Sequence, residues 1–272
     1  NEGDANIPTQ SAAALGDSNS GMHLTIAILA ALLQREHTGK GSYVYQSMQD
    51  AVINLCRIKL RDQLMLDNLG ALPFYAVYPN YKWGKAIPRS ENSEGGQVIG
   101  WTYKAKGWET DPNAYVYIVI QNKNKSWETI ANTMGHPEWA TDERFKDWEH
   151  RQLHKQEIYP LIESYTKNYD KYELTKKLGE AGIPVGPVLD WHELENDPDL
   201  NKDGTLVKIN QGGNRGEFKT VGMPFTMSNY KPTYKRAPDL GENNKEILSS
   251  LGYDPEQIEE LVAKGVISKV EK

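Results

Sequence analysis

The feature that most constrains the fold of this chain is a run of apolar residues from Met22 to Leu33. The run is apolar on almost every side at helical spacing, which is typical of a helix buried by several neighbours. Ser18, Asn19 and Ser20 stand just before it and are typical residues for a helix start. The sequence therefore predicts a buried helix that needs packing partners on several sides.

One carboxylate, Asp17, stands at the predicted start of this helix. The unpaired N–H groups and partial positive charge of a helix start stabilise an anion there. An ionised and positioned carboxylate can act as a nucleophile. The same spacing also fits an ordinary helix cap formed by Asp17 or Ser18, which is the commonest use of these residues at that place.

Charge and cysteine content exclude several classes of partner. The chain of 272 residues has a formal net charge of -6, so it has no basic excess for nucleic acid or an anionic membrane surface. Its single Cys56 cannot form an internal disulfide or a multi-cysteine metal site. With no membrane-length apolar run and no signal peptide at the amino end, we expect a cytoplasmic protein that acts on a small molecule.

The first part of the chain predicts further elements around that helix. Alternation predicts a short strand over Ser42–Gln46, and helical spacing predicts one long helix from Met48 to Asn68 that stops at Gly70. Residues 71–100 have no clear period and predict a long loop. Two runs of strand-forming residues, Gly100–Ala105 and Tyr115–Ile120, predict an antiparallel pair.

The second part of the chain is mostly helical up to Gly182. Residues Gly182–Val188 then predict a rigid, extended linker, because Gly and Pro break the helical pattern. Short strands and turns are predicted over Leu189–Lys235, and a last helical section over Asn243–Lys264. Together with the strand pair, the central helices indicate a small α+β unit.

Two motifs each allow a functional interpretation and a purely structural one. Gly95 and Gly96 allow close approach of backbone N–H groups to a ligand, as in a lid or an oxyanion site, but paired glycines also mark ordinary turns. His150 and His154 have the i, i+4 spacing of a helical metal site. Their charged neighbours favour a solvated surface instead. We predict no metal.

Several stretches in order closely resemble the class III CoA-transferase family, nearest to its formyl-CoA:oxalate branch. The resemblance covers essentially the whole chain from about residue 12 onward. The stretches are Leu15–Leu24, Thr38–Gly41, Ser47–Val52, Lys106–Asp111, Gly182–Pro184, Thr220–Gly222 and Ala237–Glu242.

The resemblance implies a site and a reaction. Asp17 takes the place of the family's nucleophile, and a glycine loop over Ser93–Gln97 covers the site, with Gly95, Gly96 and Gln97 in contact with substrate. The implied reaction moves CoA from formyl-CoA or a similar short acyl-CoA to a small carboxylate such as oxalate, through aspartyl anhydride and thioester intermediates. CoA thioesters are substrates, and no cofactor is expected. The alternatives are an acyl-CoA racemase of the same family and a non-catalytic CoA-binding subunit or fragment.

The resemblance also implies an α/β fold of interlocked homodimers. Residues 1–70 would form part of a Rossmann-like large domain with a linker helix, residues 71–182 a smaller α+β domain with the glycine loop, and residues 183–272 a return linker and the C-terminal part of the large domain. The family's N-terminal segment would then lie elsewhere in the same chain or in another chain. The loop carries two glycines where oxalate-using relatives have four, and Asn243 stands where relatives commonly have His.

Overall fold

The computed structural model describes residues 13–70, 86–87, 99–202 and 204–268. The chain divides into two compact units, unit 1 at Asn1–Val188 and unit 2 at Leu189–Lys272. Helices and strands are mixed in both units, which confirms the predicted α/β class at this coarse level. None of the described helices is long and apolar enough to cross a membrane.

Unit 1 combines helices with an antiparallel sheet. Its helices are α1 (Leu15–Thr38), α2 (Met48–Leu55), α3 (Arg57–Leu69), α4 (Asn124–Thr133), α5 (Trp148–Leu153), α6 (Lys155–Thr166) and α7 (Lys171–Glu180). Its strands are β1 (Ile99–Lys104), β2 (Tyr115–Ile120) and β3 (Val185–Pro187), paired in the order β1-β2-β3.

The sheet confirms the predicted strand pair and corrects the predicted linker. Strand β1 pairs antiparallel with β2, with Trp101 opposite Ile118. The linker prediction for Gly182–Val188 was wrong in part, because β3 pairs antiparallel with β2. The Val119 N–H donates to the Pro184 carbonyl and the Val188 N–H to the Tyr115 carbonyl, so backbone bonds flank the short strand on both sides.

The apolar core of unit 1 lies between the sheet and helices α4, α6 and α7. Alternate residues of β2 are fully buried, as the period of two in a half-buried strand requires. They pack with apolar side chains from the three helices. The central members are Val116, Ile118, Ile120, Trp127, Ile130, Ile158, Ile162, Leu174 and Leu178.

Helix α1 corrects the prediction of a buried helix. Asn19 is its one buried residue, and the apolar side chains of Met22, Ile26, Leu29 and Leu33 are exposed by 60%, 65%, 60% and 62%. These four residues are spaced by four, three and four positions, so they form one stripe along the helix, which we call the α1 seam. In the described part of the chain, nothing buries this seam, because α2 packs only near the start of α1.

Two further predictions in this region were wrong in detail. Residues 40–47 form neither helix nor strand, so the strand predicted at Ser42–Gln46 is not observed. The predicted long helix is divided into α2 and α3 at Cys56, an exposed residue whose ψ of 5° interrupts the helical path. Its stop is confirmed, since Gly70 ends α3 with a φ of 77° that favours glycine.

Unit 2 has short elements and little apolar core. They are α8 (Trp191–Asn196), α9 (Pro198–Lys202), β4 (Leu206–Asn210), β5 (Glu217–Val221), α10 (Asn244–Ser250) and α11 (Pro255–Ala263). Strands β4 and β5 pair antiparallel, which confirms the prediction of short strands. The last helical section is two helices, separated near Gly252. Among the residues of unit 2 that the structure describes, Ile258 alone is a buried apolar residue.

Candidate active site

The structure places Asp17 in the first turn of α1, as the third residue of the helix. The predicted cap role was wrong: the N-cap position is Ala14, without a side-chain cap, and the helix starts three residues before Ser18. The apolar run beginning at Met22 does not reveal this, because the first turn of the helix lies before that run. Asp17 is exposed to solvent.

The Asp17 carboxylate is accessible at the positive end of a helix dipole. Within the described ranges, the Asp17 carboxylate takes part in no hydrogen bond and no ion pair. Both oxygens are therefore open for contact with a substrate.

Helix α2 holds the first turn of α1 from one side. A Cβ added to Gly16 would lie 2.8 Å from the Met48 sulfur, so the two helices approach closely there. The Asn19 side-chain N–H donates to the Ala51 carbonyl over 2.5 Å. From the Gly16–Met48 contact to the Asn19–Ala51 bond, the chain moves three residues toward the C-terminus on both helices. Helices α1 and α2 therefore run parallel, and their N-termini lie side by side.

The start of α2 adds a second positive helix end near the first turn of α1. Ser47 caps α2 by accepting a hydrogen bond of 3.1 Å from the Asp50 N–H. Since α1 and α2 start at the same level, the free N–H groups of both first turns share one end of the helix pair. Such an end attracts anions, which suits a site for carboxylates and thioester oxyanions.

The glycine-loop residues Gly95, Gly96 and Gln97 lie outside the described residues. Their role therefore stays a prediction.

The predicted histidine pair lies on α5 and at its end, and each ring binds a carboxylate. His150 Nδ1 is 2.8 Å from Asp147 Oδ1, and His154 Nδ1 is 2.6 Å from Glu157 Oε1. In the described ranges no group of three His, Cys, Asp or Glu residues is arranged to hold a metal ion.

A groove of about 320 Å³ lies along the second half of α1, lined in part by Ile28, Leu32 and Arg35. With a helical rise of about 1.5 Å per residue, its nearest α1 residue is about 16 Å along the helix from Asp17. The groove is therefore separate from the first turn.

The sequence interpretation missed the roles of Gly16 and Asn19. It treated Asn19 only as a residue typical of a helix start. A signal was present, since Gly16, Asn19, Ser20 and His23 follow the i, i+3, i+4, i+7 spacing of one helix face. Small and polar residues on one face of an otherwise apolar helix mark a close, hydrogen-bonded contact.

Comparison with known proteins adds family and sequence relationships. The model of CoA-transferase family III matches residues 2–244. Formyl-CoA:oxalate CoA-transferase from Shigella sonnei is 50% identical over 251 residues, which are 92% of this chain and 60% of that protein. The protein of the same name from Escherichia coli O139:H28 gives the same identity and coverage. The chain thus spans 60% of the length of these curated relatives.

Solved structures share the fold at lower identity. A CAIB/BAIF family protein from Brucella suis superposes with a TM-score of 0.62 at 23% identity, over 90% of this chain and 57% of that chain. A hypothetical protein from Mycobacterium tuberculosis gives a TM-score of 0.62 at 19% identity, over 88% and 55%. At these identities the likeness concerns the fold alone.

Proposed function

The chain belongs to CoA-transferase family III, and we propose that it transfers CoA between an acyl-CoA and a small carboxylate, with Asp17 as the nucleophile. The observation that carries this proposal is the placement of Asp17. An exposed carboxylate, unpaired within the described residues, stands in the first turn of α1 beside the start of the parallel helix α2. That arrangement leaves the carboxylate open to a thioester.

The proposed reaction is a series of acyl transfers at one carboxylate. An Asp17 oxygen attacks the thioester carbonyl and the C–S bond breaks. CoA departs as the thiolate, and Asp17 and the acyl group are joined in a mixed anhydride. The thiolate then attacks the aspartyl carbonyl and releases the donor's carboxylate, which leaves an aspartyl-CoA thioester. The acceptor carboxylate attacks this thioester and expels CoA thiolate. The thiolate finally attacks the acceptor carbonyl, forms the new acyl-CoA and regenerates Asp17.

Backbone donors have two tasks in this scheme. Each tetrahedral intermediate carries an oxyanion, and loss of one well-placed donor typically lowers the rate about 10²- to 10³-fold. We assign this task to the N–H groups of Gly95 and Gly96, with Gln97 in contact with substrate. Closure of their loop would also exclude water, which protects an anhydride from hydrolysis.

The proposed substrates are formyl-CoA, or a similar short acyl-CoA, and oxalate or another small carboxylate. Support comes from the 50% identity to relatives named formyl-CoA:oxalate CoA-transferase. Glu94 in the loop places a negative charge beside the two glycines. We therefore expect weaker binding of a dianionic acceptor than a neutral residue at this position would give.

The proposed assembly is an interlocked homodimer with a Rossmann-like large domain. The exposed α1 seam supports a partner, because a stripe of four large apolar side chains is unfavourable in water. We propose that a second copy and the segment that completes the length of the relatives cover this face.

A trapping experiment tests the nucleophile. The assembled protein is incubated with formyl-CoA, treated with hydroxylamine or borohydride, and digested for peptide mass spectrometry. We expect modification at Asp17, and loss of CoA transfer in Asp17→Asn and Asp17→Ala. Glu256→Gln is the matched control, because Glu256 is likewise an exposed first-turn carboxylate, on α11.

The same experiment separates the alternatives. Near-normal transfer by Asp17→Ala would refute the proposed nucleophile. An unmodified Asp17 in protein that binds CoA would favour the racemase or a non-catalytic subunit. Label exchange between donor and acceptor CoA esters then separates a transferase from a racemase, in which the same Asp would act as acid or base.

A further inference from the structure

We infer that Asn19 is a positioning residue for Asp17, because its side-chain amide ties the first turn of α1 to the Ala51 carbonyl of α2. This inference rests on the proposed role of Asp17 as nucleophile. It assigns to Asn19 a task in setting the rate of transfer, beyond its contribution to stability.

The first observation is the burial of this contact. Asn19 is 4% exposed, and Ala51 is also buried. The bond of 2.5 Å between the Asn19 amide and the Ala51 carbonyl is therefore shielded from water. If the two groups separated, the Asn19 amide would be buried without this partner, which costs more than the net gain of an ordinary hydrogen bond. The bond therefore resists small movements of the helix.

The second observation is that α1 is mostly exposed among the described residues. Asn19 is the one buried residue of this helix, and the α1 seam is exposed. A helix held by apolar packing along its length keeps its position when one contact is lost. In the described residues, the contacts of α1 with α2 at its first turn include the Asn19 bond and the Gly16–Met48 contact. Near the other end of α1, Ser42 donates an exposed side-chain hydrogen bond to Gln34.

The third observation is the position of Asp17 between these two contacts. Gly16 precedes it by one residue, and Asn19 follows it by two. At about 100° per residue, Asn19 points about 200° away from Asp17, so one side chain faces α2 while the other faces solvent. A rotation or slide of the first turn on α2 would thus move the carboxylate directly. Misplacement of a reacting group by about 1 Å can cost about 10²-fold in rate.

The test measures chemistry separately from folding. In the full assembled protein, kcat and KM for formyl-CoA and the initial rate of trapped adduct at Asp17 are compared for wild type, Asn19→Ala and Asn19→Asp. Asn19→Asp keeps the shape of the side chain but replaces the N–H donor with a carboxylate oxygen, which cannot donate to the Ala51 carbonyl. All rates are taken at a temperature where circular dichroism shows each variant fully folded.

We expect kcat and the adduct rate to fall about 10- to 100-fold in both variants, while KM changes less than about threefold. Asn19→Ser keeps a hydroxyl donor, so we expect it to recover part of the rate, and it remains informative if either other variant fails to fold. Ile130→Val is the stability control, because it removes volume from the apolar core far along the chain from α1. We expect it to lower the melting temperature and leave kcat unchanged.

The outcomes separate this inference from the proposed function. A wild-type protein that gives no adduct at Asp17 refutes the proposed nucleophile and the role of Asn19 with it. A wild-type protein that gives the adduct, together with folded Asn19 variants of normal kcat, refutes the positioning role alone. A loss of kcat that follows the drop in melting temperature in every variant, Ile130→Val included, also refutes it.

Discussion

At the scale of single residues, Tyr103 carries a polar group that costs stability. Its side chain is 1% exposed, and its hydroxyl has no hydrogen-bond partner among the residues described. Burial raises the pKa of Tyr103 well above its usual range. We expect Tyr103→Phe to leave the free energy of unfolding unchanged or raise it by about 1 kcal/mol, since a buried unpaired hydroxyl is costly.

Urea unfolding of Tyr103→Phe checks this expectation. Trp127→Phe is the contrast, because the Trp127 indole N–H donates to the Trp139 carbonyl over 2.9 Å. This variant should lose about 1–3 kcal/mol from the missing bond and the smaller ring. A Tyr103→Phe variant destabilised as much as Trp127→Phe would show that the hydroxyl is in fact bound.

Arg151 is a buried charged residue that joins separate segments. Its guanidinium donates to the Phe145 carbonyl over 2.8 Å and to Asn124 Oδ1 over 2.9 Å. Arg151→Met removes both bonds and leaves a carbonyl unpaired, so we expect a loss of about 1–3 kcal/mol in urea unfolding. Arg151→Lys offers a single ammonium group, so its free energy of unfolding should lie between those of wild type and Arg151→Met. Equal stability of wild type and Arg151→Met would contradict this account.

At the scale of elements, charged side chains join the segment before α5 to α6. Arg144 binds Asp142 and Glu157, and His154 binds Glu157. The hydrogen bond from His154, then that from Arg144, lowers the pKa of Glu157, and Arg144 lowers the pKa of Asp142. A lowered folded-state pKa gives stability that is complete above the unfolded pKa of about 4 and lost as pH falls through the folded value.

We therefore expect Arg144→Gln to lower the melting temperature slightly at pH 7, by about 2 °C or less, because exposed ion pairs are weak. The difference from wild type should shrink as pH falls below about 4 and through the lowered folded pKa values of the two carboxylates. Thermal scans from pH 7 down through this acid range measure the difference in melting temperature. A difference that stays constant throughout would show that Arg144 acts through packing.

Elements differ in how far their sequence determines them. The β1–β2 pair could be predicted, because alternation along Tyr115–Ile120 reports directly on a half-buried strand. The strand β3 could not, since three residues with Gly and Pro carry no period and pair only because β2 has a free edge. The burial of α1 was predicted wrongly because spacing shows that a helix has apolar faces and says nothing of what covers them.

The candidate site was predictable in part for similar reasons. Polar residues before an apolar run indicated a helix start, and Asp17 indeed lies in a first turn. The partner helix α2 was not predictable as such, because the contact depends on Gly16 and Asn19 meeting residues more than thirty positions away. The nucleophilic role of Asp17 came from the family resemblance and stays a proposal.

At the scale of the whole molecule, the α1 seam makes assembly testable. A charge placed in an apolar contact is costly, so we expect Leu29→Glu and Leu33→Glu to weaken the proposed dimer. Light scattering after size-exclusion chromatography should show a lower mass at a given concentration. Gln34→Glu adds the same charge to another face of α1 and should leave the mass unchanged. Dimers of normal stability in both seam variants would rule out a contact there.

The exposed seam also bears on the fate of newly made protein in the cell. Chaperones and proteases recognise stretches of exposed apolar side chains, and they act continuously on chains that show them. A copy whose α1 seam is uncovered displays such a stretch even when its sheet and core are fully formed. We therefore expect the lifetime of this chain to depend on how soon the proposed dimer forms, so that unassembled copies are removed.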